Sequence, residues 1–490
     1  MNPELKPYPA YRDSGVPWLG EVPEHWEARR LASCLASLQS GAREQTEIDA
    51  DEGVPNFGGE HVGADGQLLL KNMRFVSRAF VQKLHKGKIK ENDILLVKDG
   101  ATIGKVALLK RMPYAECTVN EHVFILRAAS NCLPGLLYQV LRSQAVQNLI
   151  WQQVTGSAQP GLNSTFTKGT TIALPPLSEQ SAIVRYLDYM DRRIQRYIRA
   201  KQKLIKLLEE QKQAIIHQAV TGRIDVRTGK PYPAYKPSGV EWLGDVPEHW
   251  EIRRIGSIST RVTKGTTPTS IGMNFVDHGI RFIKVESISK NLGLVAAMGS
   301  FIDRRTDALL ARSRLHSGDV LVAIAGAIGR VAIVSQGDLP ANCNQAVAVI
   351  SPRNSIVSSR WVAHLLESPA WQRIMVDRSV QSAQANLSLA DLRAVAITIP
   401  PVREQDEIVS ELEGRTKNLT SVVTAIEDGI MALREYRTRL ISDVVTGKLD
   451  VREAAANLPD ELEEELLEDQ EQEEETDEDL EDEEQTGDEE

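Results

Sequence analysis

The chain has 490 residues, of which 42% are hydrophobic and 26% charged, a composition typical of globular proteins with two or three domains. It contains neither a run of eighteen apolar residues nor an N-terminal signal with a hydrophobic centre, so we expect a cytoplasmic protein outside the membrane. Its four cysteines form no CxxC pair and no Cys/His cluster, which argues against a structural zinc site and a disulfide framework.

The net charge of −11 hides a division of the chain into a basic body and an acidic end. Residues 453–490 contain 22 Asp and Glu and neither Lys nor Arg, so residues 1–452, with 57 basic and 46 acidic residues, carry a formal charge of +11. A basic body is consistent with nucleic-acid binding, although many basic faces are merely solvated. We predict that residues 453–490 are a disordered acidic tail, because too few apolar residues are present to offset the chain entropy of folding.

The chain begins with an arm, residues 8–31, that returns at residues 232–255. The sequences YPAYRDSGVPWLGEVPEHWEARRL and YPAYKPSGVEWLGDVPEHWEIRRI are identical at 18 of 24 positions. Their Pro and Gly content favours turns and extended structure over helix. We interpret Trp18, Trp26, Trp242 and Trp250 as packing anchors rather than base-stacking platforms, because large aromatic side chains beside Pro and Gly usually fix irregular segments to a core.

A variable segment follows each arm: residues 32–174, here called insert domain 1, and residues 256–399, insert domain 2. Both contain short β-branched runs punctuated by glycine, which predict strands, and segments of helical periodicity, so we expect α+β folds. The two segments resemble each other much less than the arms do. A duplicated frame with divergent inserts suggests one task performed twice on different targets.

Each insert domain is followed by a predicted long helix, residues 178–222 and 403–447, about 60 Å long at ~1.5 Å per residue. Both helices show the alternating four- and three-residue apolar spacing of a coiled coil, so each needs a partner, and the other copy supplies it. The predicted seam consists of Ile183, Leu187, Met190, Ile194, Tyr197, Lys201, Leu204, Leu208, Gln211 and Ile215, and of Ile408, Leu412, Arg415, Leu419, Val422, Ile426, Gly429, Leu433, Tyr436 and Leu440.

Motifs for catalysis are missing from the sequence. The stretch Gly100-Ala-Thr-Ile-Gly104-Lys105 has too few residues between its glycines for a phosphate-binding loop, and Val106 replaces the magnesium-binding Ser or Thr. A strand-turn-strand explains it and its counterpart at residues 326–330, where Lys105 and Arg330 either contact DNA phosphate or are simply exposed. We predict no catalytic residue and no metal site in this chain.

The paired VPEHWE arms, the PPLSEQ and PPVREQ helix entries, the VTGRID and VTGKLD exits and the two variable segments resemble the specificity subunit of type I restriction-modification enzymes. The resemblance implies two α+β target recognition domains separated by long helices in an antiparallel coiled coil, with a pseudo-two-fold repeat. The implied domains are 1–177, first arm and recognition domain; 178–222, central spacer helix; 223–402, second arm and recognition domain; 403–447, distal spacer helix; and 453–490, the tail.

The same resemblance implies that each recognition domain reads half of a bipartite, asymmetric site in double-stranded DNA. Two modification subunits, using S-adenosylmethionine, and two restriction subunits, using ATP and magnesium, would supply adenine methylation and cleavage; no cofactor is expected on this chain. The residues expected to contact DNA are Lys105, Gln159, Asn163, Lys264, Thr266, Thr267, Arg330, Gln384 and Asn386. Two alternatives remain at this stage: a coiled-coil scaffold that reads no DNA, and a specificity partner of a methyltransferase that has no nuclease.

Overall fold

The computed structural model describes residues 5–44, 48–50, 53–156, 160–289, 291–295, 300–379 and 387–459. This part of the chain divides into two compact units. Unit 1 holds the residues up to Lys201 and those from Asp428 onward, whereas unit 2 runs from Gln202 to Glu427. Each unit therefore contains one arm, one insert domain and part of each long helix.

Unit 1 begins with short strands and helices that precede the first long helix. Its strands are β1 Tyr11–Asp13, β2 Glu21–Pro23, β3 Glu27–Arg30, β4 Leu35–Ser40, β5 Gly53–Phe57, β6 Arg74–Ser77, β7 Ile94–Val97, β8 Val106–Leu108, β9 Thr118–Val119, β10 Val123–Ala128, β11 Val154–Thr155, β12 Gly161–Leu162 and β13 Thr171–Leu174. Its helices are α1 Arg78–Lys83, α2 Pro134–Arg142, α3 Gln144–Gln152 and α4 Phe166–Gly169, followed by α5 Leu177–Thr221, which continues into unit 2.

The centre of insert domain 1 is a four-stranded antiparallel sheet in the order β4-β10-β7-β8, accompanied by a three-stranded sheet, β6-β5-β9. Successive residues of β7 point into different cores. Ile94 and Leu96 join the core that contains α2, α3 and the arm, whereas Leu95 and Val97 join the core that contains the smaller sheet. Burial of both faces explains why β7 is an uninterrupted apolar run rather than an alternating one.

Unit 2 repeats this order of elements. Its strands are β14 Tyr235–Pro237, β15 Asp245–Pro247, β16 Glu251–Arg254, β17 Ser259–Lys264, β18 Ile280–Ile283, β19 Ser300–Ile302, β20 Val320–Ala323, β21 Val331–Ile333, β22 Ala341–Cys343, β23 Val347–Pro352 and β24 Ala396–Ile399. Its helices are α6 Ile255–Ile258, α7 Arg304–Leu309, α8 Ser359–Glu367, α9 Pro369–Ser379 and α10 Leu389–Ala394. They are followed by α11 Val402–Val445, which continues into unit 1, where α12 Arg452–Ala456 is the last described helix.

Insert domain 2 has the topology of insert domain 1, with sheets in the orders β17-β23-β20-β21 and β19-β18-β22. In both small sheets the central strand pairs antiparallel with one neighbour and parallel with the other. The central strand β20 again alternates between two cores, Val320 and Val322 in one and Leu321 and Ala323 in the other. The predicted α+β class is confirmed, and both divergent sequences keep a central apolar strand with two buried faces.

The arms are fixed to the cores by their tryptophans. Trp26 and Trp250 are fully buried, each in the main core of its own unit. Trp18 and Trp242 pack against the same cores at partly buried positions. The prediction that these side chains are packing anchors is confirmed.

A buried glutamate in the first turn of each long helix holds the arm in place. Glu179 accepts hydrogen bonds from Tyr8 Oη at 2.5 Å and Trp26 Nε1 at 3.1 Å, and lies 2.7 Å from His25 Nε2. In unit 2 the equivalent Glu404 lies 2.8 Å from the histidine of the second arm. A carboxylate there also complements the positive end of the helix dipole. The repeated arm and the repeated helix entry are therefore the two sides of one contact.

The next residue, Gln180, satisfies three backbone groups at once. Its Oε1 accepts a hydrogen bond from Leu133 N at 2.8 Å, and its Nε2 donates to Asn131 O and Pro175 O, both at 2.9 Å. Gln405 makes the same three contacts in unit 2. This glutamine therefore connects the start of each long helix to the residues that directly precede α2 in unit 1 and α8 in unit 2.

The turns VTGRID and VTGKLD end the long helices beneath the arms. Gly222 and Gly447 have φ angles of +73° and +78°, in the left-handed region that glycine adopts without strain. A Cβ atom on Gly447 would lie 2.4 Å from Cδ of Pro23, and one on Gly222 would lie 2.4 Å from Cδ of Pro247. Both the backbone conformation and the packing of the arm therefore require glycine.

Replacing Gly447 by alanine is expected to destabilise unit 1 by about 2–4 kcal/mol, because left-handed strain adds to a steric clash with the arm. Gly20→Ala is the matched control, since Gly20 has a φ of +63° but nothing within 4 Å of an added Cβ. It should show only the strain, about 1–2 kcal/mol. Chemical denaturation measures both, and equal losses would contradict the steric part of the argument.

The two long helices lie within two residues of their predicted bounds, and a Pro-Pro pair separates each from the preceding strand, β13 or β24. In unit 1 the beginning of α5, with Ile183 and Leu187, shares a core with the end of α11, at Leu440. In unit 2 the end of α5, at Ile216, shares a core with the beginning of α11, at Ile408. Pairing of beginnings with ends makes the helices antiparallel.

The packed face of the long helices follows the predicted seam at fourteen of its twenty positions. Predicted seam residues that are buried or half-buried are Ile183, Leu187, Met190, Ile194, Lys201, Leu208, Ile215, Ile408, Leu412, Leu419, Ile426, Gly429, Leu433 and Leu440. The seam is wrong at Tyr197, Leu204, Val422 and Tyr436, which are 45–51% exposed, and at Gln211 and Arg415, which are also exposed.

The residues one position later occupy the packed face instead, at Ile198, Ile205, Val423 and Arg437. Residues three and four positions from a seam residue are both its neighbours on the helix surface. In α5 and in part of α11 both of these rows are apolar, so periodicity alone does not decide which row the partner helix covers.

The predicted acidic tail begins later than residue 453. Helix α12 packs on unit 1, with Ala454 and Ala455 buried in its main core. The high average content of acidic residues in 453–490 concealed these small residues, which bury readily. Residues 460–490, the remainder of the predicted tail, lie outside the described residues. Among the helices that are described, none is both long enough and apolar enough to cross a bilayer.

Insert domain 2 contacts α11 through a buried histidine, His364. Its Nδ1 lies 3.3 Å from Glu367 Oε2, and its Nε2 lies 3.3 Å from Glu413 Oε1. Burial opposes the imidazolium charge, but the two carboxylates outweigh burial and raise the pKa of His364. The hydrogen bond with His364, helped by Arg360 and opposed by burial, lowers the pKa of Glu413 to about 2.

A raised folded-state pKa means that His364 stabilises the fold below its unfolded pKa of about 6.5 and loses this contribution as pH rises through the folded value. Replacing His364 by glutamine, the residue at the equivalent position 139, is expected to flatten the fall in stability between about pH 6 and about pH 8. Denaturant midpoints at both pH values measure this. His316→Gln, at a site where the ring is 65% exposed, is the control, and identical pH profiles for all three proteins would contradict the assignment.

Candidate nucleic-acid interface

The loops of insert domain 1 gather at one end of its four-stranded sheet. Strands β4 and β7 end there and strands β8 and β10 begin there, since Phe124 pairs with Ser40 and Val123 with Val97. The smaller sheet reaches the same place, because Asn120 N donates to the carbonyl oxygen of the last residue of β5 at 2.9 Å. Loops 41–44, 58–61, 98–105 and 120–122 therefore form one surface, here called sheet end 1.

Insert domain 2 has the equivalent surface, sheet end 2, formed by residues 264–267, 284–287, 324–330 and 344–346. Lys264 pairs with Ala348 and Ala323 with Val347, which places the ends of β17 and β20 beside the beginning of β23. Asn344 N donates to Ile283 O at 3.0 Å, the counterpart of the contact at Asn120.

The two sheet ends contain most of the residues predicted to contact DNA. Lys105 lies at sheet end 1, and Asn163 lies beside it, because Leu162 N donates to Lys98 O at 2.7 Å. Lys264, Thr266, Thr267 and Arg330 lie at sheet end 2. Gln159, Gln384 and Asn386 lie outside the described residues.

The residues predicted to contact DNA differ in the solvent exposure and the hydrogen bonding of their side chains. Lys264 and Arg330 are exposed, whereas Lys105 is half-buried. Asn163 is exposed, but its Oδ1 accepts a hydrogen bond from Thr165 N at 3.0 Å and so shapes its own turn. The Thr267 hydroxyl donates to the amide oxygen of Gln345. Exposed lysine and arginine suit phosphate contacts, and the amide and hydroxyl pair presents hydrogen-bonding groups.

Two glycines show that the first loops of the two sheet ends are equivalent. A Cβ atom on Gly41 would lie 1.8 Å from Val119 O, and one on Gly265 would lie 1.8 Å from Cys343 O. Only glycine lets the chain pass this close to a neighbouring backbone. Position 43 of insert domain 1 therefore corresponds to position 267 of insert domain 2, where arginine and threonine replace each other.

Sheet end 1 has a chain of charged side chains. Arg43 Nη1 lies 3.8 Å from Glu121 Oε1. His122 links this carboxylate, 3.4 Å from its Nε2, to Asp99, whose Oδ1 lies 2.5 Å from its Nδ1. Arg43 is 65% exposed and His122 is 47% exposed, so both are accessible to a ligand.

Sheet end 2 has neutral residues at the corresponding positions. Gln345 replaces the glutamate, Ala346 the histidine and Ala325 the aspartate. Arginine is suited to guanine edges and amides to adenine edges, so the two ends offer different base-reading chemistry on one scaffold.

Sequence reasoning missed Arg43, Glu121, His122 and Asp99 as members of one surface. The signal was present, because these residues flank positions that the two copies share while differing between the copies. The shared Asn120 and Asn344 have a structural role: their Oδ1 atoms accept from His122 N at 2.9 Å and Ala346 N at 3.2 Å.

The glycine-containing segment between β7 and β8 is a hairpin turn, as predicted, and so is its counterpart between β20 and β21. Gly104 and Gly329 have φ angles of +90° and accept hydrogen bonds from Gln147 and Gln372 of the following helices, at 2.9 and 2.8 Å. Within the described ranges, no three His, Cys, Asp or Glu residues come together as metal ligands.

Comparison with known proteins follows the same two-fold division. The family described as "Type I restriction modification DNA specificity domain" matches residues 23–207 and 247–430. The EcoBI specificity subunit of Escherichia coli is 26% identical over 408 residues, covering 80% of this chain and 82% of that protein. The MjaVIII specificity subunit of Methanocaldococcus jannaschii is 21% identical, covering 88% and 94% of the two chains.

A solved structure has the same fold. It comes from a study titled as the structural basis of complex assembly and conformational transition of the type I R-M system. The TM-score is 0.66 at 18% identity, and the match covers 87% of this chain and 99% of that one.

Proposed function

Because the chain belongs to the family of type I restriction-modification specificity subunits, we propose that sheet ends 1 and 2 each read one half of a bipartite, asymmetric DNA site. The chain is the DNA-recognition subunit of such a system and has no catalytic role of its own. Partner subunits then methylate adenine in this site and, with a restriction subunit present, cleave DNA with ATP.

One observation carries the two-reader proposal. The same loops meet at the same end of the same fold in both insert domains, yet the side chains they present differ in charge and in hydrogen-bonding character. Two domains that read two different DNA sequences need the same backbone arrangement of loops but different side chains on those loops. A symmetric site would favour equal groups at both ends.

Phosphate contacts come from the basic body. Residues 1–452 carry a formal charge of +11, and Lys105, Lys264 and Arg330 lie beside the proposed reading groups. Such contacts fix position and contribute affinity that falls with salt, whereas base contacts decide sequence. We therefore expect Lys264→Ala to weaken binding to all sequences alike.

The outward faces of the long helices are the proposed docking surface for the modification subunits. Exposed apolar side chains in unit 1 are Tyr197, Met431 and Tyr436, and those in unit 2 are Leu204, Leu207 and Val422. Apolar groups on a helix that already has a partner suit a further protein contact. We propose two modification subunits carrying S-adenosylmethionine and two restriction subunits carrying ATP and magnesium, acting in the cytoplasm.

Substitution at one sheet end tests the two-reader proposal. In the assembled methylating complex, Arg43→Ala is expected to relax base preference in one half-site by roughly 5- to 100-fold, the value of one good base contact, and to leave the other half unchanged. Thr267→Val is expected to act on the opposite half. Methylation of oligonucleotides altered at single positions measures both. Equal relaxation of both halves by either variant would contradict the assignment.

Two other functions are separated by simple observations. A scaffold that reads no DNA predicts that footprinting of the assembled complex shows no protected site, and the basic body argues against it. A partner of a methyltransferase without nuclease predicts methylation but no cleavage, and no restriction subunit encoded beside this chain.

A further inference from the structure

Each insert domain contacts the long helices of its own unit through charged side chains, and one pair of equivalent positions in these contacts has opposite charges. Equivalent positions lie 225 residues apart. The last residue of α2 is Arg142, whereas the last residue of α8 is Glu367. Both side chains face a long helix, so this difference in charge lies in the contact between the insert domain and the helix rather than on the outer surface.

In unit 1, Asp191 of α5 lies between two arginines. Arg142 Nη1 donates to Asp191 Oδ2 at 3.3 Å, and Arg437 Nη2 of α11 donates to the same oxygen at 3.2 Å. Arg437 Nη1 also donates to Asp65 Oδ1 of the insert domain at 2.6 Å. Arg142 and Arg437 are only 14% and 11% exposed, so they rely on these carboxylates rather than on water.

Unit 2 has the opposite charge at the position of Arg142, although Arg360 and His364 of its insert domain face Glu413, a carboxylate of α11. Glu367 Oε1 of the insert domain lies 4.0 Å from Nζ of Lys212, which occupies the α5 position equivalent to Arg437. Thr416 stands where unit 1 has Asp191, and its hydroxyl donates to Leu412 O of its own helix at 2.9 Å. At this contact the domain supplies the anion and the helix the cation, whereas α2 and α5 of unit 1 do the reverse.

We infer that this reversal restricts each insert domain to its own site on the long helices. Insert domain 1 on the unit 2 site would place Arg142 against Lys212, with no aspartate at position 416. Insert domain 2 on the unit 1 site would place Glu367 next to Asp191 as well as next to Arg437, the residue equivalent to its partner Lys212. A largely buried charge without its partner is strongly destabilising. The surface therefore accepts an insert domain of matching charge, and this holds whether or not the domains read DNA.

Point variants of the full chain test the contact. Arg142→Glu is expected to lower the thermal midpoint of unit 1 by roughly 5–10 °C, and Arg111→Glu, the same charge change at an exposed residue, by no more than about 1 °C. Adding Asp191→Thr and Arg437→Lys to Arg142→Glu installs the unit 2 set and should recover at least half of the loss. Equal midpoints for the two single variants, or no recovery in the triple variant, would overturn the inference.

Domain exchange tests the consequence. A full chain in which a second copy of residues 32–174 replaces residues 256–399 is expected to show an early unfolding transition or to precipitate. The same exchange with Thr416→Asp and Lys212→Arg should remain folded, with that transition shifted up by roughly 5 °C or more. If the unmodified exchange is as stable as the modified one, or if both precipitate, the inference is wrong. Hydrogen exchange of α11 locates the change in either outcome.

Discussion

Removing one heptad from each long helix, residues 198–204 of α5 and 424–430 of α11, is expected to shift methylation to sites whose central gap is about three base pairs shorter. Seven residues span about 10 Å, and base pairs are spaced at about 3.4 Å. A heptad is close to two full turns, so the packed faces keep their orientation to within about 20°. The segments contain Lys201 and Gly429, where Lys201 Nζ lies 3.5 Å from the position of a Cβ on Gly429.

Sequencing of methylated adenines in DNA treated with the assembled complex measures this shift. The control removes the heptad from α5 alone, which puts the two packed faces out of register and should abolish methylation. If the paired deletion still methylates the native gap, the helices do not set the distance between half-sites.

Replacing Gln180 by leucine is expected to destabilise unit 1 by about 3 kcal/mol or more. The side chain nearly keeps its volume, but three backbone groups, Leu133 N, Asn131 O and Pro175 O, lose their partner. A buried polar group left without a partner costs about 1–3 kcal/mol. The loss should appear as earlier exchange of the amides at the start of α2.

Two variants control this experiment. Gln405→Leu removes the same three contacts in unit 2 and should act there with similar size. Ser181→Leu changes the next, exposed position of the same helix and should alter stability by no more than about 0.5 kcal/mol. A Gln180→Leu protein as stable as Ser181→Leu would show that water replaces the amide and that the contact does not hold the domain.

Much of the fold was predictable because the sequence of its repeated parts occurs twice in the chain. The matching arms, helix entries and helix exits predicted the frame, and the structure shows why each is repeated: Glu179 and Glu404 hold the arms, and Gly222 and Gly447 leave space for them. A feature present in both copies is one that both units need for the same contact.

The packed face of the long helices was only partly predictable, for a physical reason. Tyr197 and Ile198 are both apolar, as are Leu204 and Ile205, so two adjacent rows could each have formed the seam. Only the position of the partner helix selects between them. Likewise, the short helix α12 was lost in the average composition of an acidic segment.

The candidate site was harder to predict because its members come from separate loops. Arg43, Asp99 and His122 are far apart in sequence and meet only because strands β4, β7 and β10 end or begin at one edge. Features that the two copies share mark structural residues such as Asn120 and Asn344. Residues that differ between the copies at equivalent positions are the better candidates for readers of different sequences.

The central claim is that two dissimilar DNA readers share one frame, and exchange of a single reader tests it most directly. Residues 32–174 are replaced by the corresponding segment of an unrelated specificity subunit, chosen with a cation at position 142 to preserve the helix contact. The methylated sequence of the assembled complex is then determined. The account predicts that one half of the site changes while the other half and the gap stay the same. Methylation of the original site by the exchanged complex would contradict it.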